Sequence, residues 1–224
     1  MANLIANAVS HTFNNGQSWV LDTWSGSFSP HTITTITGPS GCGKSTLLHC
    51  LGGLLTPTRG DVLLHGDALY RRTPTQRADA INQHIGFVFQ RASLLPELSV
   101  WDNIAIKYRL RNATEPSAMI DHWLTVFQLS DFRDASPATL SGGQGHRVAF
   151  IRALLNAPTV LLCDEPTGNL DDANTACLLD AIQTIRTETP CAVVIATHDA
   201  RIAQIGDATV DLTPHAQGFG YLVQ

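Results

Sequence analysis

The chain has 224 residues, of which 44% are hydrophobic and 15% are charged. This balance is typical of a globular protein and argues against a disordered chain or a coiled coil. The 14 Lys and Arg residues against 19 Asp and Glu residues give a formal net charge of -5. Composition therefore gives no support for nucleic-acid binding, because that function needs cationic patches for the phosphates.

No segment of the sequence has the pattern of a membrane-spanning helix. The longest apolar runs, such as residues 191–196, are far shorter than the about 20 residues that such a helix needs. The N-terminus lacks a basic start followed by a long apolar run, so we expect no signal peptide. Any function at a membrane is therefore expected to pass through a partner.

The five cysteines and nine histidines follow no metal or disulfide pattern. No two cysteines are spaced as CxxC, and their number is odd. We therefore expect free thiols, buried or half-buried, in a reducing compartment. The histidines are scattered along the chain, and we interpret most of them as surface or packing residues.

The first part of the chain favours short strands around one helix. Residues 33–37 are rich in β-branched side chains and stop at a glycine cluster, which predicts a strand. Residues 44–51 predict a helix that is closed by the glycine pair at 52–53. Residues 61–64 and 85–89 predict further short strands.

The middle of the chain has helical patterns. Residues 100–110, 117–129 and 144–155 suit helices, and Ser99 is a suitable N-cap for the first of them. Between the second and the third helix, residues 130–141 form a polar, proline-containing stretch that predicts a loop.

The last part of the chain returns to strands. Residues 160–163 and 192–196 are continuously apolar, and a helix at about 172–187 separates them. Continuous apolar strands are typical of a parallel sheet that is buried on both faces. The alternation of strand and helix predicts an α/β core, with the helical segment inserted between its two halves.

A glycine-rich motif joins the first predicted strand to the first predicted helix. Residues 38–45 read GPSGCGKS and fit the pattern GxxxxGK[ST]. Glycines let several backbone N–H groups point at one anion, and the helix N-terminus adds its positive end. Lys44 can reach the β- and γ-phosphates of a nucleotide, and the Ser45 hydroxyl can join the shell of Mg²⁺. The alternative is a chance glycine-rich turn, but Lys44 is one of only two lysines in the chain.

Two carboxylates follow the predicted strand at 160–163. Asp164 has the position that a Mg²⁺–triphosphate site requires of a carboxylate, at the end of a neighbouring strand. Glu165 projects differently and could orient or activate a water on the γ-phosphate. The alternative, a pair of solvated acids at a strand end, is common in isolation and less so beside a phosphate-binding loop.

The segment 140–144 reads LSGGQ and resembles the signature of ATP-binding cassette (ABC) ATPases. The resemblance covers nearly the whole chain, since the phosphate loop, Gln90, the signature, the Asp164–Glu165 pair, the stretch 169–171 and His198 come in the order of that family. Taken alone, the Ser-Gly-Gly sequence could also be a turn that caps a helix.

The resemblance implies the fold and the division of the chain. The expected class is α/β, a P-loop NTPase (RecA-like) core with an N-terminal antiparallel β subdomain and an inserted α-helical subdomain. Residues 1–224 would form a single ABC ATPase domain. Its nucleotide-binding core would comprise residues 1–90 and 151–224, and its helical signature subdomain residues 91–150.

The resemblance also implies site residues. It assigns catalysis to Lys44, Gln90, Glu165 and His198, and metal binding to Ser45, Gln90 and Asp164. It assigns nucleotide contacts to Phe13, Gly38, Pro39, Ser40, Gly41, Cys42, Gly43, Lys44, Ser45, Thr46, Ser141, Gly142, Gly143, Gln144 and Asp171. Without the resemblance, Phe13 could be a core residue, Gln90 would indicate nothing, Asp171 would be an exposed loop acid and His198 a structural residue.

The function implied is that of an ATPase subunit that uses ATP and Mg²⁺. Two such subunits would pair head-to-tail, as a homodimer or with another ABC ATPase, and energise a transporter through integral membrane permease subunits. The subunit would be cytoplasmic and peripheral on the inner face of the cell membrane, with no nucleic-acid partner. The alternatives are a soluble non-transport ABC ATPase and an ATP-binding regulator of a membrane complex with little turnover.

The sequence departs from the family pattern after the signature. Gly145 and His146 stand where polar residues such as Gln-Gln are usual, and a glycine near a helix start costs about 0.5–1 kcal/mol relative to alanine. The stretch 166–171 reads PTGNLD and resembles the branch of lipoprotein-release, macrolide-export and cell-division ATPases.

Overall fold

A computed structural model describes residues 2–14, 16–110, 113–168, 170–212, 214–215 and 218–219. The strands are β1 (Leu4–His11), β2 (Leu21–Phe28), β3 (Ile33–Thr37), β4 (Arg59–Leu64), β5 (Asp67–Ala68), β6 (Ile85–Val88), β7 (Val160–Asp164), β8 (Ala192–Ala196), β9 (Ala208–Asp211), β10 (Pro214–His215) and β11 (Gly218–Phe219). The helices are α1 (Lys44–Leu51), α2 (Pro74–His84), α3 (Val100–Leu110), α4 (Ser117–Val126), α5 (Gly142–Leu154), α6 (Asp172–Glu188) and α7 (Ala200–Gln204), with 3₁₀ turns at Leu69–Arg71, Ser130–Phe132 and Pro137–Thr139.

Two larger sheets organise the described chain. An antiparallel sheet has the strand order β2-β1-β4-β5, and a five-stranded sheet has the order β6-β7-β8-β3-β9. All pairings in the five-stranded sheet are parallel. The carboxyl ends of β3, β6, β7 and β8 therefore lie at the same edge, which is where ligands bind in sheets of this type.

The parallel sheet separates two hydrophobic cores. Along β7, Val160 and Leu162 pack into the core shared with α1 and the antiparallel sheet, whereas Leu161 and Cys163 pack into the core shared with α3, α4 and α5. Alternate residues of a strand point to opposite faces, so burial of both faces favours a continuous run of apolar residues such as 160–163. This arrangement confirms the sequence-based interpretation of these strands.

Most of the predicted elements are confirmed, with shifted ends. The predicted helices at 44–51 and 100–110 have the observed bounds, and the Ser99 hydroxyl accepts a hydrogen bond from the Asp102 N–H at 3.1 Å, as an N-cap does. The helix predicted to reach residue 129 ends at Val126, because Gln128 adopts a left-handed conformation with φ 54°. The helix predicted to start at residue 144 starts at Gly142.

Two helices were missing from the sequence-based prediction, α2 and the five-residue α7. Helix α2 is polar, and among its residues only Ala80 is buried, so it has no apolar periodicity. All five cysteines are free and buried, as expected. Among the described helices, none has both the length and the apolar character needed to cross a bilayer.

Candidate functional site

The glycine-rich loop lies between β3 and α1, at the carboxyl edge of the parallel sheet. Gly43 precedes α1 with φ 103°, and a Cβ there would lie 3.0 Å from the Val20 carbonyl oxygen. At Gly38, with φ 144°, a Cβ would lie 2.7 Å from the Cys42 sulfur. Both the backbone conformation and the space thus require glycine at these two positions.

Lys44 places its ammonium group inside this loop. The side chain is 7% exposed, and Nζ donates hydrogen bonds to the carbonyl oxygens of Gly38 at 2.9 Å and Pro39 at 3.2 Å. The same Nζ lies 3.6 Å from Glu165 Oε1. A buried cation that is held by backbone oxygens at a helix N-terminus is well placed to bind an anionic ligand.

Ser45 and Asp164 form a pair of oxygen ligands beside the lysine. The Ser45 hydroxyl donates to Asp164 Oδ1 at 2.9 Å. Burial raises the pKa of the Asp164 carboxyl above its ordinary value of 3.8, and the hydrogen bond from Ser45 opposes that rise. A cation at this position would compensate for the cost of burying the carboxylate.

Glu165 follows β7 in a left-handed conformation with φ 46°, which is uncommon for a residue with a side chain. Its backbone N–H donates to the Ala196 carbonyl at 2.9 Å. Oε2 lies 2.7 Å from His198 Nδ1 and accepts from the His198 backbone N–H at 3.3 Å. The strained backbone therefore turns one carboxylate between Lys44 and His198.

Lys44, Ser45, Glu165 and His198 line one cleft of about 670 Å³, whereas Asp164 is reached through Ser45 and does not line it. Its lining residues are Phe13, Val20, Gly38, Pro39, Ser40, Gly41, Gly43, Lys44, Ser45, Thr46, Gln90, Glu165 and His198. Phe13 is 69% exposed, so it is a surface ring and not a core residue. The ring of His11 contacts it edge-to-face, with 4.6 Å between the centroids.

Cys42 is the one member of the 38–46 stretch that does not line the cleft. Its side chain is buried in the core next to α1, and its backbone N–H is bonded to the Pro39 carbonyl at 3.3 Å. Any contact of Cys42 with a ligand would therefore have to come from its backbone.

The LSGGQ segment lies outside the cleft of its own chain. Ser141 caps α5 by accepting from the Gln144 N–H at 3.2 Å, while Gln144 Oε1 accepts from the Ser141 N–H at 2.8 Å. Ser141 and Gly142 are exposed, and none of residues 141–144 lines the cleft. The result is an exposed helix N-terminus, a suitable site for an anion brought by another molecule.

Asp171 is also outside the cleft, as the N-cap of α6. Its Oδ1 accepts from the Asn174 backbone N–H at 2.8 Å and from Asn174 Nδ2 at 2.9 Å, and these bonds lower the pKa of the Asp171 carboxyl. The neighbouring Asn169 lies outside the described residues, so the departure from the family pattern at that position has no structural description.

Sequence reasoning missed three residues that shape the site. Val20 lines the cleft, His146 bonds to the Gln90 carbonyl, and Asn174 packs so close to Gly143 that a Cβ there would lie 2.6 Å from Asn174 Cγ. Only His146 had a sequence signal, since it departs from the family pattern after the signature.

Comparisons with known proteins identify the family of the chain. A family model described as ABC transporter matches residues 21–168. The chain is 40% identical over 183 residues to the lipoprotein-releasing system ATP-binding protein LolD of Acinetobacter baylyi, a match that covers 80% of each protein. It is 36% identical over 217 residues to LolD of Shewanella denitrificans, covering 93% of this chain and 91% of that protein.

Solved structures of ABC cassettes share the fold. A dimeric structure of MJ0796, a bacterial ABC transporter cassette, matches with a TM-score of 0.85 and 30% identity over 94% of both chains. A post-hydrolysis dimer of MJ0796 bound to ADP and Pi matches with a TM-score of 0.84 and 29% identity over 93% of both chains. The phosphate loop, the carboxylate pair and these matches lead to one conclusion: the chain belongs to the ABC transporter family, as an ATP-binding and ATP-hydrolysing subunit that energises a membrane transport complex.

Proposed function

We propose that the cleft binds ATP with its phosphates on the loop 38–45 and hydrolyses it with Glu165 as the general base. Lys44 would exchange its bonds to Gly38 and Pro39 for bonds to the β- and γ-phosphates, a short movement because Nζ is already inside the loop. Glu165 would accept a proton from the attacking water, and His198, held at 2.7 Å, would fix the carboxylate and contact the γ-phosphate.

The residues present fit a magnesium ion at Ser45 and Asp164. Among the described residues, no cluster of three His, Cys, Asp or Glu side chains forms a metal site. Mg²⁺ usually takes only one or two carboxylates, with phosphate and water oxygens as its other ligands. The Ser45 hydroxyl and the Asp164 carboxylate, with the Gln90 side chain at the cleft, match that pattern. When bound, the ion would neutralise charge on the β- and γ-phosphates.

Phe13 is proposed to contact the adenine base. Its ring is exposed at the cleft, and the edge-to-face contact with His11 restricts its orientation. An aromatic face of this kind is a suitable platform for a base, since base–aromatic stacking contributes about 1–3 kcal/mol in nucleic-acid complexes.

The complete site is proposed to form between two subunits in a head-to-tail pair. The observation that carries this proposal is the separation within one chain: Lys44, Ser45, Glu165 and His198 line the cleft, whereas Ser141 and Gly142 are exposed outside it. In a pair, the signature of one subunit would contact the γ-phosphate on the other, and Asp171 would lie near the interface. MJ0796 matches in its dimeric form, which supports the formation of a pair.

The two paired ATPase subunits are proposed to bind an integral membrane permease of the lipoprotein-releasing type. The support is the identity of up to 41% to LolD proteins of several bacteria. The subunit would then act in the cytoplasm, peripheral to the inner face of the cell membrane. Purification of the chain from membranes, with identification of the proteins that accompany it, tests this assignment; ribosomes or DNA in their place would favour a soluble ABC ATPase.

The head-to-tail pair can be tested by mixing two defective chains in a Glu165→Gln background. Lys44→Ala damages the cleft, and Gly142→Asp places a negative charge on the signature. Apart from its chain neighbours and its own helix backbone, no atom of the described residues lies within 4 Å of a Cβ at Gly142. An acid in the first turn favours the helix, so the fold should persist.

The mixed pair should hold one ATP, because one of its two sites combines an intact cleft with an intact signature. Native mass spectrometry would count the bound nucleotides. Each variant alone should form no ATP-bound dimer. If the mixture forms none either, while the Glu165→Gln parent does, the head-to-tail arrangement is wrong.

A further inference from the structure

Helix α5 holds the segment that follows Gln90 by side-chain hydrogen bonds. His146 Nε2 lies 2.9 Å from the Gln90 carbonyl oxygen. Arg152 Nη2 donates to the Ala92 carbonyl at 2.8 Å, and its Nη1 donates to the Ser93 carbonyl at 3.1 Å. Three of the four carbonyls from residue 90 to residue 93 are therefore bonded to the helix that carries the signature.

The His146 contact is buried and directional. The side chain is 7% exposed, and because a carbonyl oxygen can only accept, the ring must donate through Nε2–H. Its Nδ1 is buried and has no partner among the described residues. The ring therefore has one polar role in this structure, which is to bind the Gln90 backbone.

Close packing accompanies these bonds. A Cβ at Gly145 would lie 3.8 Å from Leu94 Cδ1 and 3.9 Å from the Ala92 Cβ, so the helix backbone approaches the segment closely. On the other side, Asn103 of α3 is fully buried. Its Oδ1 accepts from the Leu95 N–H at 2.8 Å, and its Nδ2 donates to the Leu95 carbonyl at 3.0 Å.

The segment 90–95 is thus bound to α5 at its start and to α3 at its end. Gln90 also lines the ATP cleft, and Ser141 is only five residues before His146, about 7.5 Å along a helix. One stiff unit therefore carries both the Gln90 carbonyl and the signature. Any bending between this unit and β6, which ends at Val88, must take place before Gln90.

We propose that His146, assisted by Arg152, is a positioning residue of the ATPase: its bond to the Gln90 carbonyl makes Gln90 and the signature move as one unit. When Gln90 engages the nucleotide in its own cleft, the N-terminus of α5 is set for the partner subunit. This inference rests on the proposed function, because it assumes that Gln90 contacts the nucleotide site and that the signature completes the site of a second chain.

Two amide substitutions separate the bond from the burial. In His146→Gln, the side-chain N–H₂ can reach the position of the imidazole Nε2, whereas in His146→Asn it is one methylene too short. Both variants bury an amide at the same site. Val148→Ala is the control for loss of stability, since Val148 is a fully buried residue of α5 that has no part in the site.

Four measurements are made on each variant. They are thermal stability, affinity of the single subunit for a fluorescent ATP analogue, ATP-driven dimerisation in the Glu165→Gln background, and kcat and KM of the chain with Glu165 intact. A fifth measurement on each variant, hydrogen exchange of the amides 90–95, reports the segment directly and does not depend on dimerisation.

His146→Asn should weaken ATP-driven dimerisation and lower kcat about tenfold each, the ratio expected for one buried hydrogen bond. Its KM and the affinity of the single subunit for nucleotide should stay within about twofold, since the phosphate loop is untouched. Exchange of the amides 90–95 should become faster. His146→Gln should have near wild-type ATP-driven dimerisation, kcat and exchange of the amides 90–95. Val148→Ala should lower only the melting temperature.

The proposal is overturned if His146→Asn and His146→Gln behave alike in dimerisation, kcat and exchange. It is also overturned if His146→Asn, like Val148→Ala, changes the melting temperature alone. Failure of the proposed function has a different result: the Glu165→Gln parent, with His146 intact, would not dimerise with ATP. In that case the exchange rates of the 90–95 amides still decide whether His146 holds the segment.

Discussion

His198 Nδ1 and Glu165 Oε2 lie 2.7 Å apart, although 33 positions of sequence separate the two residues. They come from the ends of β8 and β7, which are neighbours in the parallel sheet. On the opposite side of the same carboxylate, Lys44 Nζ lies 3.6 Å from Oε1. The sheet thus brings three chain segments to one carboxylate and fixes its orientation at the cleft.

Replacement of Glu165 by glutamine should slow hydrolysis strongly, by about 10²–10⁴-fold, because an amide cannot accept the proton of the attacking water. Single-turnover release of phosphate from the assembled complex is the measurement. ATP binding should persist, since the phosphate loop keeps its contacts, and the ATP-bound dimer should accumulate. Hydrolysis at the wild-type rate would show that Glu165 is not the base.

Replacement of Lys44 by alanine should weaken ATP binding by about 10–100-fold, the range expected when a charge-assisted hydrogen bond to phosphate is lost. The chain offers a matched control in Lys107, its only other lysine, which lies in α3 away from the cleft. Titration of each variant with a fluorescent ATP analogue should give near wild-type affinity for Lys107→Ala. Equal affinity in both variants would remove the role given to Lys44.

The parts of the fold that could be predicted are those in which one local pattern decides the structure. Strand β8 and residues 160–163 of β7 are apolar because both faces are buried, and that pattern was readable from the sequence. Helix α2 has no buried stripe, and its remaining signal was the capping box of Thr73 and Gln76, with Pro74 at the first helical position. A search for apolar periodicity overlooks such a helix.

The candidate site also has a part that the sequence predicts and a part that it does not. The loop at 38–45 and the pair Asp164–Glu165 are contiguous in sequence, and their chemistry was predictable. The contact of Asn174 with Gly143 and the bond of His146 to Gln90 join segments that are distant in sequence. No local pattern specifies such contacts, because they depend on how α5 and α6 pack.

Gly143→Ala should destabilise the subunit by about 1–3 kcal/mol, the usual cost of overpacking. A Cβ at this position would lie 2.6 Å from Asn174 Cγ and 2.8 Å from its Oδ1. The second substitution Asn174→Ala removes the obstacle, so the double variant should recover most of the loss that Gly143→Ala causes. Urea unfolding of the two single variants and the double variant forms a cycle, and additive effects would contradict the predicted clash.

Gly145→Ala should have the opposite effect and stabilise the subunit by about 0.5–1 kcal/mol, because alanine lowers the backbone entropy of the unfolded chain. The added methyl group would make only ordinary contacts at 3.8 and 3.9 Å. Urea unfolding measures this change as well, and Gly143→Ala in the same helix is the variant for comparison. A lower free energy of unfolding for Gly145→Ala would mean that α5 needs glycine there.

Stability at acid pH should depend partly on Asp199, the N-cap of α7. Hydrogen bonds from Arg201, the largest cause, lower the pKa of the Asp199 carboxyl from its ordinary value of 3.8, and partial burial opposes them. The folded protein therefore binds this proton less readily than the unfolded chain does. The stabilisation is complete at pH values above the ordinary pKa of 3.8 and is lost as the pH falls through the lowered pKa.

Asp199→Asn isolates this charge, because asparagine keeps an oxygen that can accept from the Arg201 N–H, as Asp199 Oδ1 does at 2.9 Å. The variant should be less stable than the wild type by at most about 1 kcal/mol near neutral pH, since the ion pair is partly exposed. This difference in free energy of unfolding between wild type and variant should become smaller as the wild-type carboxylate is protonated. Urea unfolding of both proteins at about pH 7 and about pH 3 measures this difference. A gap of the same size at both pH values would show that the charge of Asp199 does not contribute, and that the cap acts only through its hydrogen bond.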